Sequence, residues 1–144
     1  MSMTQGHFAI VMGDWPDTIK RTRHYFEERW GLVDCRGTIE IAATAHFGFQ
    51  VTILTASHRY DPETTLAEVF LRTVRIDDGA WVASRALLYN CHIQHHAIVG
   101  AGSVVKNAVV PPYTLVEGNP AVAVSTYVDG RWQELQEPQK LKGF

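Results

Sequence analysis

His58 closes the run "ILTASH" (residues 53–58) and is followed at once by "RYDP", so an apolar, strand-like segment carries an imidazole to the mouth of a charged, proline-marked loop. An imidazole ionises near pH 6.5, which suits it to taking and returning a proton at neutral pH. Two readings stand side by side here: a general base held at a strand end, or a polar residue that merely ends a strand. A second stretch, "NCHIQHHAIVG", gathers His92, His95 and His96. Three protein ligands are what a catalytic zinc site needs, so this segment poses a metal question. Cys35 and Cys91 lie far apart with no C-x-x-C spacing, which speaks for two reduced, buried thiols rather than a disulfide framework or zinc knuckle.

The elements that position these residues must come from a chain of 144 residues. That is one ordinary domain, long enough for a core but short for an enzyme that builds a deep pocket unaided, so help from other subunits is expected. A formal charge of -2, with 46% hydrophobic and 19% charged residues, gives no electrostatic case for nucleic acid or a membrane surface and points to a small or neutral partner. No apolar run approaches the roughly 20 residues of a spanning helix. The start, "MSMTQGHFAIVMGDWP", lacks a basic n-region and a full apolar h-region, so a cytoplasmic location is expected.

From Ile41 the chain divides into sixes, "IAATAH", "FGFQVT", "ILTASH", with Ile41, Phe47 and Ile53 in phase. After an interruption the pattern resumes as "IDDGAW", "VASRA", "LLYNCH", "IQHHAI", "VGAGSV", led by Ile76, Val82, Leu87, Ile93 and Val99. Four positions after those leaders stand Ala80, Ala86, Cys91, Ala97 and Ser103, all small. A period of six is neither helical nor a simple alternation. It fits a coil of short strands joined by tight corners, with one aliphatic residue inside each strand and a small one where the corner crowds the interior. Successive coils would stack at the usual strand spacing of roughly 4.8 Å. "VASRA" is one residue short, which predicts a local bulge or tightened corner.

The pattern resembles the hexapeptide-repeat acyltransferases, and four motifs carry the likeness. "TASHRYDP" resembles the stretch around the catalytic histidine of the maltose, galactoside and nodulation sugar O-acetyltransferases; "VRIDDGAWVAS" resembles a coil with the pattern I-G-D-x-V-W-I-G. "VGAGSVV" is similar to the cofactor-binding coil, and "VPPYTLVEGNPA" to the ending of that family. Together they span residues 37–122. The resemblance implies an all-β, left-handed parallel β-helix of triangular section, a homotrimer with active sites at the subunit clefts, and acetyl-CoA as donor. It implies an O-acetyltransferase acting on a hydroxyl of a sugar or polysaccharide precursor.

On that resemblance His58 is the general base, since an alcohol becomes a competent nucleophile only as its proton leaves. Trp81 is expected to line the cleft near the thioester, Ser84 to bond the pantetheine arm, and Ala101 with Gly102 to let that arm lie close to the backbone. Lys106 stands in for a lysine at the nucleotide end, while Val122 occupies a position where an arginine is expected. "LYNCHIQHHAIVGAG" also resembles a coil of the γ-class carbonic anhydrases, but Tyr89 stands where a zinc ligand would be, so no metal is expected. The alternatives to acetyl transfer are such a metalloprotein and a noncatalytic β-helix subunit. His46 and the 92–96 histidines are expected on the outer surface.

Residues 59–73 interrupt the repeat and must loop out of the coil. Asp61-Pro62 reads as a turn starter and "ETTLAEVFLR" as a short helical segment, whose Leu66, Val69, Phe70 and Leu71 call for burial at an acceptor site or a neighbouring subunit. Residues 1–36 are expected to form a helical segment packed on the first coil. There Asp14 caps, Pro16 sits in the first turn, Gly31 stops the helix, and Ile19, Phe26 and Trp30 share the buried face. Lys20, Arg21, Arg23 and Arg29 then face solvent. Residues 123–144 form a tail whose Asp129-Gly130 is a hairpin signal.

Overall fold

The computed structural model describes residues 10–12 and 23–144. Its elements are β1 (Ile10–Met12), α1 (Arg23–Glu28), β2 (Leu32–Asp34), β3 (Thr38–Ile41), β4 (His46–Phe47), β5 (Thr52–Leu54), β6 (Ala56–Asp61) and β7 (Leu66–Leu71). After these come β8 (Thr73–Ile76), β9 (Trp81–Val82), β10 (Leu87–Ile93), β11 (Ile98–Val99), β12 (Val104–Val110), β13 (Thr114–Gly118), β14 (Ala121–Val128), β15 (Arg131–Gln139) and β16 (Lys142–Gly143).

Strand pairing sorts most of these into three columns of parallel strands. The first stacks β2, β5 and the opening halves of β10 and β12. A second stacks β3, β8 and the closing halves of β10 and β12, and the third stacks β4, β9, β11 and β13. The chain visits the columns in that order on each turn, so it winds as a three-sided parallel coil. Backbone groups pair between turns rather than within them, which is why strands of two or three residues suffice.

The interior is a ladder of like residues. Val33, Ile53, Leu88 and Val105 stack from the first column, and Phe47, Val82, Val99 and Val116 from the third, each 5% exposed or less. Ala80, Ala86, Cys91, Ala97 and Ser103 are all buried to within 1%. Equivalent positions in earlier turns take somewhat larger residues, Val51 one turn from Ala86 and Val74 paired with Cys91, and these too are buried. Each fully buried aliphatic contributes on the order of 1.5–3 kcal/mol.

The shortened repeat lies elsewhere than at "VASRA". Val82 pairs with Val99 and Leu87 with Val104, so that corner has the same length as the one below it. Leu88, not Leu87, is the fully buried residue. The missing residue is at the next corner, where Asn90 alone turns β10 from the first column to the second with φ 44, and Asn107 does the same in β12 with φ 52. Asn90 Nδ2 donates to Asn107 Oδ1 at 2.9 Å, linking the two tightened corners.

At the same corner one turn earlier, the chain leaves the coil. The expected helix over "ETTLAEVFLR" is instead β7, paired antiparallel with β6 from Ala56↔Leu71 to Asp61↔Leu66. Six cross-strand partners override the helix propensity of Glu, Leu and Ala, and Phe70 takes the guanidiniums of Arg59 and Arg72 at 5.4 and 5.5 Å from its ring centre. Asp61 organises the tip, accepting from Glu63 N–H and Thr64 Oγ1 at 2.9 and 2.8 Å. Thr55 ties the neck: its carbonyl accepts from Arg72 N–H, and its hydroxyl accepts from Gly37 N–H. Leu66, Val69 and Leu71 are exposed on this single chain.

Of the N-terminal helix, residues 14–22 lie outside the described residues. Phe26 packs on Phe47 with ring centres 4.7 Å apart. Trp30 leaves the buried face expected for it: it lies past the helix end with φ 59, Gly31 N–H donates to the Phe26 carbonyl, and the indole is 55% exposed. At the other end, β14 folds back antiparallel on β13 and β15 on β14 around Asp129-Gly130, both with positive φ. This covers part of the last strand edge. Finally β16 crosses to pair with β12.

Candidate functional site

The corner between the third and first columns repeats a local device. Its turning residues Gln50, Arg85 and Gly102 all have positive φ, at 56, 60 and 68. Ser84 is fixed from both sides: its Oγ accepts from Phe49 N–H at 3.0 Å, and its carbonyl accepts from Gly102 N–H at 2.9 Å. Gly48 lies so close below that a Cβ there would come within 2.5 Å of Ser84 N. Above, Gly102 has nothing within 4 Å of where its Cβ would be, and Ala101 beside it is exposed. The result is a shelf of small residues with open backbone, and below it a cavity of about 440 Å³ lined by Trp30, Phe49, Gln50, Ser84 and Arg85.

Of the residues singled out from the sequence, Ser84, Ala101 and Gly102 thus come together on one corner. Trp81 is three residues before Ser84, on the outer face of β9 and 52% exposed. Lys106 does not join them. It ends the first-column half of β12, next to the Asn107 corner, with its ammonium 5.8 Å from the centre of the Tyr89 ring. Val122, where the resemblance calls for an arginine, pairs on β14 opposite Glu117, so a carboxylate lies across the ladder from it.

His58 sits in β6 opposite Val69, exposed on the projecting hairpin. Its neighbours on the ladder, Ser57 and Arg59, face Phe70 and Glu68, and Arg59 pairs with Glu68 at 2.6 Å. The hairpin rises from the corner between the first and second columns. In a three-sided section that corner is opposite the third column, which carries Trp81. Within one chain, His58 and Trp81 therefore belong to opposite sides of that section.

The histidine cluster divides. His92 Nε2 meets Asp77 Oδ2 at 2.7 Å, whereas His95 and His96 are exposed with their Nδ1 atoms 3.2 Å apart. Among the described residues no group of three or more His, Cys, Asp or Glu side chains is placed to hold a metal ion. His46 is exposed on β4.

A second cavity, about 660 Å³, was not evident from the sequence. On the corner between the second and third columns, the His96 and Tyr113 rings stack at 5.0 Å and 7°. Tyr127 stacks on Tyr113 at 6.1 Å, and Trp132 meets Tyr127 edge-on at 5.4 Å. Gly79 makes room for this spine, since a Cβ there would fall 2.7 Å from the His96 ring. The spine walls the cavity, whose other lining includes His46, Trp81 and Ile98 from the third column. Trp81, His96, Tyr113 and Tyr127 lie 14 to 17 positions apart in the sequence, and the stacked corners bring them together, while the terminal hairpin adds Trp132 beside Tyr127.

Columns of short parallel strands with one small residue per corner define the class of fold: a parallel coil built on hexapeptide repeats. The solved structures it resembles include acetyltransferases and an N-acyltransferase from Bacillus cereus. One is a maltose O-acetyltransferase from Clostridium difficile 630, at 24% identity and TM-score 0.59, with 69% of this chain and 56% of that chain covered. Another is a galactoside acetyltransferase in complex with coenzyme A, at 20% identity and TM-score 0.62, covering 69% and 50%. A third, from Vibrio cholerae O1 biovar eltor and complexed with acetyl coenzyme A, shares 24% identity and TM-score 0.53, covering 72% and 63%. This chain has their fold and spans between 50% and 63% of their lengths. No family model matches it. Among the described residues no helix is long and apolar enough to cross a membrane.

Proposed function

We propose that the chain is an acetyl-CoA-dependent O-acetyltransferase, a left-handed β-helix that works as a homotrimer and acetylates a hydroxyl of a sugar or polysaccharide precursor. The observation that carries this reading is the shelf of Ser84, Ala101 and Gly102. It is open backbone where an extended amide chain can lie, on a fold whose solved relatives include complexes with coenzyme A. Ser84 Oγ already accepts from Phe49 N–H at 3.0 Å, which leaves its own proton to donate to a pantetheine carbonyl.

His58 takes the proton of the acceptor hydroxyl as that oxygen attacks the thioester carbonyl. The carbon–sulfur bond then breaks and the imidazolium returns the proton to the departing thiolate, so atoms and charge balance without an acyl-enzyme. Because His58 and Trp81 lie on opposite sides of one chain, the site forms between two copies, His58 of one reaching the Trp81–Ser84–Gly102 side of the next. The exposed Leu66, Val69 and Leu71 of the hairpin, at 69%, 50% and 56%, supply the apolar surface that such a contact would cover. Lys106, on the His58 side, would approach the nucleotide end from the other copy.

Release of free thiol from acetyl-CoA, measured across simple glycosides and nucleotide sugars, tests the activity. His58→Ala is expected to lower turnover by about 10²–10⁴ and leave coenzyme A binding intact. Co-expressed His58→Ala and Trp81→Ala chains are expected to reach at least roughly one quarter of wild-type activity, above His58→Ala alone, if every site draws one residue from each of two neighbours. Unchanged turnover in His58→Ala refutes the mechanism, and no recovery on co-expression refutes the shared site. Absence of coenzyme A binding would leave a noncatalytic β-helix subunit, the reading that Glu117 opposite Val122 favours.

A further inference from the structure

We infer that the cavity lined by Trp30, Phe49, Gln50, Ser84 and Arg85 is an oxyanion site, which holds a small molecule carrying a carboxylate or a phosphate on a flat or apolar body. The cavity lies below the shelf, on the corner between the third and first columns, and its volume of about 440 Å³ is within the range of small-molecule sites. Its cation is held twice. Arg85 N–H donates to the Phe49 carbonyl at 2.8 Å, and Arg85 Nε donates to Gln50 Oε1 at 2.9 Å, so Gln50 on the turn below restrains the guanidinium before any ligand arrives. The corner itself needs no side chain at this point, since Gly102 makes the same turn one coil later. With Nε occupied, the N–H groups of Nη1 and Nη2 are left, and their end-on fork is the geometry that takes two oxygens of one oxyanion. Among the described residues no carboxylate forms an ion pair with Arg85.

The aromatic wall sets the rest of the ligand. Trp30 and Phe49 are 55% and 58% exposed, which puts two apolar side chains and one cation around a single cavity. An oxyanion bound beside apolar surface is partly shielded from water, and a charged hydrogen bond is stronger there than in open solvent. The phosphates of coenzyme A are the other oxyanions to consider, and the order of residues along the coil disfavours them. This placement rests on the acetyltransferase reading, in which Trp81 stands by the thioester and the pantetheine arm runs from Ser84 to Ala101 and Gly102 one turn above. The nucleotide end then continues upward, away from Gln50 and Trp30. The cavity below lies past the reacting carbonyl, on the side from which a hydroxyl must approach. Its occupant is therefore an acidic acceptor, and Arg85 is the residue that selects it.

Calorimetry with benzoate, phenyl phosphate and the neutral benzyl alcohol tests the site, with coenzyme A titrated in parallel. At least one of the two anions is expected to bind, the tighter one distinguishing carboxylate from phosphate, and benzyl alcohol to bind about tenfold more weakly or not at all. Arg85→Gln is expected to weaken the anion about ten- to hundredfold. Gln50→Ala, which keeps the charge but releases the guanidinium, is expected to weaken it several-fold, and coenzyme A affinity to stay unchanged in both. Thiol release from acetyl-CoA is expected to favour glucuronate or glucose 6-phosphate over glucose, and Arg85→Gln to remove that preference through KM rather than kcat. The inference is overturned if neither anion binds or if Arg85→Gln binds it like wild type. It is equally overturned if that variant loses coenzyme A or changes oligomeric state instead, since the guanidinium then belongs to the donor or to a subunit contact. Anion binding at Arg85 without acetyl transfer to any hydroxyl would sink the acetyltransferase reading and leave the site standing. Acetylation of glucose as fast as of the acidic sugars, unchanged in Arg85→Gln, would do the reverse.

Discussion

Replacing Gly48 and Gly102 by alanine, one at a time, separates two different reasons for glycine in the corner that carries the shelf. A Cβ at Gly48 falls 2.5 Å from Ser84 N, 2.6 Å from Ser84 Oγ and 2.9 Å from Ser84 Cα. Two of these are backbone atoms that no rotamer moves. Ordinary contact lies near 3.5–4 Å, so the coils must part locally by about 1 Å. The bonds in the way are Gly48 N–H to Val82 O at 2.8 Å, Phe49 N–H to Ser84 Oγ at 3.0 Å and Arg85 N–H to Phe49 O at 2.8 Å. Overpacking strain with two or three weakened bonds costs about 3 kcal/mol, or roughly 6–12 °C in Tm for a chain of this size. Gly102 has open space around its missing Cβ and a φ of +68, so Gly102→Ala carries only the left-handed backbone cost of about 1–2 kcal/mol. Urea unfolding at one fixed protein concentration measures both, and calorimetry with coenzyme A reads the shelf: Gly48→Ala, by displacing Ser84, is expected to weaken binding as well as stability. If Gly48→Ala is as mild as Gly102→Ala, the coils are more compliant than their spacing implies and the argument for a rigid shelf fails.

Two further predictions concern titrating groups away from the shelf. Burial pushes the Asp34 carboxyl up, but the Arg36 guanidinium, bonded at 2.9 Å through both Nε and Nη2, and the Arg36 and Thr55 groups around it outweigh burial and hold it below its ordinary value. A carboxylate lowered in the folded state stabilises above its unfolded pKa near 3.9 and loses that contribution as pH falls through the folded value, so unfolding midpoints should drop in acid. Asp34→Asn should start less stable near pH 7 and show a shallower acid slope, and an unchanged slope would count against the pair. Burial pushes the Cys91 thiol up to about 12. In a Cys35→Ser background, Cys91 should therefore resist a thiol reagent at pH 8 until denaturant opens the coil, whereas labelling of the native protein at the unfolded rate would contradict its burial.

How far the sequence showed this architecture depended on which forces leave a mark on residue type. The corners were legible because burial there favours small residues: Ala80, Ala86, Cys91, Ala97 and Ser103 are all buried, although Val51 and Val74 fill equivalent positions one turn away. The frame of the coil was not, because Leu87 and Leu88 are both aliphatic. Their register with Thr52–Ile53 and Val104–Val105 shows that Leu88 is the one that turns inward. Asn90 carried a usable signal, since asparagine tolerates positive φ and recurs as Asn107 one turn later, 17 positions on, beside the paired residues of β10 and β12. The hairpin was misread for the opposite reason. "ETTLAEVFLR" is composed of helix formers, and its strand state comes from β6, a partner that local propensity does not weigh.

The same distinction governs the candidate site. A motif can mark His58, Ser84 and Gly102 one at a time, since each follows from what its own corner or strand demands. It cannot say which of them share a cleft, because that depends on the winding of the coil. The three columns put His58 at the corner opposite Trp81. On the proposed reading, the chain carries two half-sites on different sides of the coil, His58 on the hairpin as the acid–base group and the third column with its adjoining corner as the binding surface. Neither half does the proposed chemistry alone. An exposed imidazole beside Val69 has no substrate to deprotonate, and a shelf beside Trp81 has no base. On that reading, the exposed Leu66, Val69 and Leu71 of the hairpin are the surface that a second copy would cover as it supplies the missing half.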